Sequence, residues 1–438
     1  MSNQDPNEDD NEALRKFLEN FLPDTSGLDH EALAKIAGLV GNQKPEELLA
    51  ALQQAMAKWQ SSPDRSAGVD WNLASSAAKK QAGKANQPIT ADVQRRLANA
   101  ITLAELWLGD ATEISALAVE PKLLTRELWV EDALPLYRAL ADPIASKMST
   151  GLSDALRESA PEQLGDSLDA LTSMMQAAGG AMFAMQLGQA LGNLATETLT
   201  ASDIGLSIFA EPRAGFVVQN LFDFIAELEV DADAALVFFA VRELALARLF
   251  KHSRWLRDQV VSQITSYASE LRADLDKLTR LVDEVDINET VDLSELIQQH
   301  QLIKERTPEQ ERALASIETL LALIEGWVDV VSAEATKRLP QAAAIAEAIR
   351  RRRATGGPAE KTFATLLGLE LRPRQMREAA VMWQVIGNSL GRSARDELWV
   401  HPDQLPTAED IVNPQAFLQR LTGGQDELDE ELRKLLGD

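Results

Sequence analysis

The sequence predicts a mainly α-helical protein with at most one small β-sheet. Helix-start signals punctuate the chain, and its apolar residues recur at helical rather than alternating spacing. Only Leu206 to Val218 reads as extended chain, with Ile208, Phe209, Phe216, Val217 and Val218 set around Glu211-Pro212-Arg213-Ala214-Gly215. No repeat at a fixed period is visible.

Residues 1–68 open with an acidic tail and continue with short amphipathic helices near Glu12 to Phe21 and Pro45 to Trp59. The turn-rich Ser61-Ser62-Pro63-Asp64-Arg65-Ser66-Ala67-Gly68 separates this arm from the rest of the chain. Helices are then expected over Trp71 to Ala85, Thr90 to Leu108 with Thr90 as cap, and Thr125 to Ala141. A long helix should come next, started by the capping-box pair Ser159 and Glu162 and interrupted at Gly179-Gly180.

Beyond the extended stretch, helices are expected over Asp231 to Phe250 and Trp255 to Leu281. In Thr307-Pro308-Glu309-Gln310, Thr stands at the N-cap and Pro at the first helical position, so a helix should run through Trp327 toward Lys337. Further helices are Gln341 to Arg353, ended by Gly356-Gly357-Pro358, and others through Trp383. After a stop and restart at Leu405-Pro406-Thr407, a charged helix ends near Leu436. The expected segmentation is 1–68, a helical domain over 69–205, a core over 206–355 and a C-terminal helical region over 356–438.

With 438 residues, 45% of them hydrophobic, the chain can bury substantial cores. Its 43 Lys and Arg against 68 Asp and Glu leave a formal charge of -25, which repels phosphate backbones and anionic lipid. Nucleic acid is therefore not an expected partner; a protein or peptide partner fits better. Cysteine is absent, which excludes disulfides, thiolate metal sites and cysteine nucleophiles. Met1 to Asp10 lacks the basic-then-apolar order of a secretory signal, so the expected compartment is the cytoplasm. Ala170 to Thr196 carries no charge, but Gln176, Gln186, Gln189 and Asn193 recur through it, so it reads as buried helix and not as a membrane span.

The four histidines, His30, His252, His300 and His401, are too far apart for any two to share a helix face. A zinc helix of the H-E-x-x-H kind needs imidazoles four residues apart on one face, with the Glu activating the bound water. The chemistry-bearing stretch is instead Val241-Arg242-Glu243-Leu244-Ala245-Leu246-Ala247-Arg248, where charges sit inside a helix that is apolar nearly all round. Charges buried there need partners. In Leu323-Ile324-Glu325-Gly326-Trp327-Val328-Asp329, Glu325 and Asp329 stand four apart on one face of a second apolar helix. The four arginines Arg350 to Arg353 read as a solvated helix C-terminus that complements the helix dipole.

These segments resemble the zincin-like metallohydrolases of actinobacteria. Val241 to Arg257, with Arg248-Leu249-Phe250, His252 and Trp255-Leu256-Arg257, is similar to that family's metal-motif helix; Leu323 to Asp329 is similar to its downstream ligand segment. The likeness extends through Gly179 to Phe183, Gln186 to Gly192, Arg350 to Thr365, Gly368 to Arg374 and His401-Pro402-Asp403, and covers roughly Trp71 to Phe417.

The resemblance implies a multi-helix zincin-like core, with Glu243 as the general base and Glu325 as a third ligand of gluzincin type. Asp329 would support Glu325, and His252 is a further neighbour. The two remaining ligand positions, however, hold Arg242 and Leu246. An arginine and a leucine do not ligate zinc, so no metal cofactor is expected and Glu243 is vestigial. The expected function is a non-catalytic zincin-like scaffold or binding protein. The alternative is a zinc-dependent metallopeptidase or other hydrolase with an atypical site. On the first reading, Arg242 or Arg248 should form a buried ion pair with Glu325, Glu243 or Asp329, and Leu246 should fill the place of the second imidazole.

Overall fold

The computed structural model describes residues 69–84, 86–159, 165–269, 307–358, 361 and 375–423. In chain order these form α1 (Trp71–Ala82), α2 (Ala91–Gly109), β1 (Lys122–Leu124), α3 (Arg126–Ser159), α4 (Gly165–Glu197), β2 (Gly215–Val217), α5 (Val218–Ala226), α6 (Ala232–His252), α7 (Trp255–Ser269), α8 (Pro308–Ala335), α9 (Ala342–Ala354), α10 (Met376–Glu397) and α11 (Ala408–Val412). The fold is mainly α, as the sequence predicts. The arm helices, Leu281, the Ser159–Glu162 capping box beyond Ser159 and the helix end at Leu436 lie outside the described residues.

Thr90 is the cap the sequence predicts, whereas Asp231, expected as the first residue of its helix, and Thr407, expected only as a restart, prove to be caps as well. Thr90 accepts from the Val93 N–H and Asp231 from the Ala234 N–H, each satisfying an amide that has no partner within its own helix. Thr407 and Asp410 form a complete capping box at α11. The expected break at Gly179-Gly180 does not occur: α4 passes through it to Glu197. Two glycines cost about 1 kcal/mol each in a helix, which long flanking runs of good helix formers offset. No helix among the described residues is long and apolar enough to cross a membrane, the uncharged stretch in α4 included.

The sheet is minimal. β1 lies parallel to β2 in the register Lys122–Gly215, Leu123–Phe216 and Leu124–Val217, and Thr200 bridges Phe216 from the other side. Only the Gly215–Val217 part of the expected extended stretch is strand, and its partner β1 is too short to show periodicity in the sequence.

The chain divides into two compact units. Among the described residues, the smaller comprises 69–74, 141–159, 165–187, 268–269 and 307–309. Within it the Trp71 indole N–H donates to Asp142 at 2.9 Å. The larger comprises the described residues of 75–140, 188–267 and 310–423, and it contains both chemistry-bearing helices.

At the centre of the larger unit α6 is buried without interruption from Ala234 to Phe250, as expected of a helix apolar on every side. It packs along α2, and Phe239 meets Phe224 of α5 edge-on at 5.9 Å. α8 buries Leu320 and the run Ala322 to Val328. It approaches α10 so closely at Gly326 that a Cβ there would lie 2.7 Å from the Ala380 amide nitrogen. A tryptophan cluster seals that contact: Trp383 stacks on Trp399 at 5.4 Å, and Trp327 meets Trp399 edge-on at 6.4 Å. Asp396 ties it together, accepting from the Trp327 indole, the Thr112 hydroxyl and the Glu113 amide.

Candidate functional site

α6 and α8 are joined by charge. The Arg242 guanidinium donates to Glu325 Oε2 at 2.7 Å and, through its other terminal nitrogen, to Asp329 Oδ1. Glu325 and Asp329 share a face because they are four residues apart, so one guanidinium reaches both. Arg242 and Glu325 each keep only 8% side-chain exposure, which makes this a desolvated pair in which removal of either partner is costly.

A second cation reaches the same carboxylate from α9. Arg353 donates to Glu325 Oε2, and its neighbour Arg352 pairs with Asp203 at 3.0 Å and donates to the Glu197 carbonyl at 2.6 Å. Arg352 also lies over the Phe224 ring, 5.7 Å from its centre. Burial pushes the Asp329 carboxyl up, but Arg242 and then Arg353 outweigh it and hold the group below its usual range. For Arg353, burial favours the neutral form; the contact with Glu325 more than offsets this and holds the guanidinium above its usual value.

Glu243 turns elsewhere. Its Oε1 accepts from the Gly215 amide at 2.9 Å and from the Ser202 hydroxyl at 3.4 Å, so the small sheet and the 199–203 turn are what orient it. Oε2 has no hydrogen-bond partner among the described residues. Burial pushes the carboxyl up to about 8, against the opposing donors at Gly215, Thr200 and Ser202, and Asp203 nearby adds repulsion. At neutral pH Glu243 is therefore mainly a neutral acid.

Arg242, Glu243 and Leu246 line one cavity of about 20 Å³ together with Thr200, Asp203, Arg352 and Arg353. That volume holds about one water molecule. His252 is not brought in: it is exposed in the last turn of α6. His401 is likewise exposed, its Nδ1 accepting from the Asp403 amide, while His30 and His300 lie outside the described residues. Arg248 pairs with Glu105 of α2 and not with the carboxylates of α8. Six residues from Arg242, it projects from a different side of the helix.

The arginines of α9 correct the sequence reading, which left Arg350 to Arg353 in solvent: Arg352 and Arg353 are inside the site, with 16% and 13% side-chain exposure. A signal for this exists in the chain. Ile345, Ile349 and Arg352 recur at the spacing of one helix face, so the buried face of α9 ends in arginine. The contributions of Asp203, Ser202 and the Gly215 amide had no such signal, because they depend on how a loop folds over α6.

The family model of zincin-like metallopeptidases matches residues 69–418. This chain belongs to that family. No curated protein matches it. Among solved structures, a proposed hydrolase with a novel fold from Chloroflexus aurantiacus matches with a TM-score of 0.57 and 18% identity, over 81% of this chain and 99% of that one. At that identity the likeness shows a shared fold. Zincin-like metallopeptidases imply a zinc ion, and the donor set does not suit one. Arg242 is a cation at the position beside Glu243, Leu246 offers no lone pair, and Glu325 is already bonded by two guanidinium groups. Among the described residues no cluster of three or more His, Cys, Asp or Glu side chains could hold a metal. Among the described residues, those at these positions do not fit zinc.

Proposed function

We propose that the chain is a non-catalytic zincin-like scaffold, which binds a protein or peptide partner and does not hydrolyse one. The observation that carries this reading is the ion network itself. Arg242 and Arg353 supply to Glu325 and Asp329 the positive charge that a divalent cation would supply, in the low-dielectric place where one is needed. A catalytic zinc must keep an open position for water and substrate. With α9 seated as in this structure, Leu246 and the two arginines leave about 20 Å³, too little for a peptide bond with its flanking atoms.

The alternative, a hydrolase with an atypical site, draws its support from Glu243. A buried carboxyl held near 8 with one oxygen unpartnered has the character of a poised acid or base. What such a site lacks is an electrophile for the developing oxyanion, because Arg242 is committed to two carboxylates. The test is a peptidase assay on the purified chain, with a zinc chelator and with Glu243→Gln. The expected result is no turnover above background. Chelator-sensitive cleavage that disappears in Glu243→Gln would overturn the proposal.

A further inference from the structure

α9 closes one side of the cavity through Ile349, Arg352 and Arg353, and it is held differently from the other helices there. α6 is buried throughout its middle and α8 over most of its second half. In α9 the buried side chains among those described are Ile345 and Ile349 alone. The rest of its hold on the site, among the described residues, runs through its arginines: Arg352 with Asp203, the Glu197 carbonyl and the Phe224 ring, Arg353 with Glu325.

Both ends of the helix are backbone joints. Gln341, at the N-cap, has φ 60, in the left-handed region that side chains other than glycine's rarely adopt, and its own side chain accepts from the Asp231 amide at the start of α6. Gly356, just past the C-cap, has φ 91, where an L side chain is strained.

We propose that α9 is a latched lid: it pivots on the Gln341 and Gly356 joints, is held shut by Arg352 and Arg353, and on lifting uncovers Leu246, Glu243 and Arg242. Segments with few buried apolar contacts open at free energies well below that of global unfolding. Lifting exposes two isoleucines, and in return four charged groups regain water, which offsets much of the lost attraction. No carboxylate is abandoned. Glu325 keeps Arg242, and Asp203 keeps the Leu199 amide at 2.9 Å. The strain at Gln341 is free to relax. This inference is independent of whether the cleft below is catalytic.

The natural chain has no cysteine, so a single introduced thiol reports without background. Leu246→Cys places one under the lid. Leu97→Cys, on α2 and fully buried, reports global unfolding. Labelling both with an aromatic disulfide reagent in native buffer should find Leu246→Cys reacting roughly tenfold faster or more, the gap expected between local and global opening. Arg352→Gln with Arg353→Gln should speed labelling at Leu246→Cys further and leave Leu97→Cys unchanged. Equal rates at the two positions in the otherwise native chain would overturn the proposal, and so would a gap that the arginine substitutions leave untouched. Should the double substitution unfold the protein, both positions accelerate together, and the native-background ratio decides alone.

Discussion

Arg242→Ala removes the guanidinium that joins α6 to α8, and the structure sets the size of the effect. Breaking a buried pair by deleting one partner costs about 3 to 5 kcal/mol, because the other charge stays buried without compensation. Two features place this site toward the lower end. Glu325 retains Arg353, and Asp329, with 30% side-chain exposure, can turn to water. The expected loss is therefore about 3 kcal/mol, read as a fall in the urea midpoint followed by tryptophan fluorescence. Arg242→Met combined with Asp329→Met should recover part of it, since the Arg353–Glu325 pair stays whole and no charge is left without its partner. A change within about 0.5 kcal/mol for Arg242→Ala, typical of a surface position, would refute the claim that this pair is structural.

Further expectations concern Glu243, the α8–α10 contact and the tryptophan cluster. The Glu243 carboxyl is raised from 4.5 to about 8 on folding, so its contribution is fully present below pH 4.5, declines as pH rises, and is lost above about 8. Urea midpoints across that range should fall with pH in the native chain and fall less in Glu243→Gln, with a difference on the order of 4 kcal/mol between the ends; parallel profiles would contradict the assignment. Gly326→Ala puts a Cβ 2.7 Å from the Ala380 amide nitrogen, and the helices must part, at about 1 to 3 kcal/mol in the same assay. Asp396→Ala leaves the buried Trp327 indole and Thr112 hydroxyl without their acceptor, while Arg395 keeps Glu334 and the Ala111 carbonyl, and should cost more than about 2 kcal/mol; a thermal midpoint like that of the native chain would dispose of its role as the tie.

Much of the fold was legible because its signals are local. Thr90, Asp231 and Thr407 are short polar side chains just ahead of helical periodicity, and the helices begin where they stand. An apolar run such as Ala234 to Val241 has no option but the middle of a core, so the buried position of Arg242 could be read from its neighbours. Its need for a carboxylate partner followed from desolvation alone. Which carboxylates answer is open in the sequence among Glu325, Glu243 and Asp329; the structure selects Glu325 and Asp329, whose spacing lets a single fork-shaped guanidinium reach both.

The features that the sequence did not disclose depend on segments far apart in the chain. Arg353 stands 28 residues from Glu325, and the turns between α8 and α9 decide whether the run Arg350 to Arg353 meets solvent or the site. The Gly215 amide that orients Glu243 is 28 residues from it and is aimed by the pairing of two three-residue strands, too short to leave a pattern. Gly179-Gly180 misled in the opposite sense, since a local breaker was outweighed by the length of the helix around it.

The central claim is that arginine holds the place a metal ion would hold between Glu325, Asp329 and the α6 helix. Its most direct test is the zinc content of the chain purified without added metal or chelator, measured by elemental analysis against protein concentration. Zinc should come out far below one equivalent, unchanged by dialysis against a chelator. Zinc close to one per chain, lost together with stability on chelation, would contradict it.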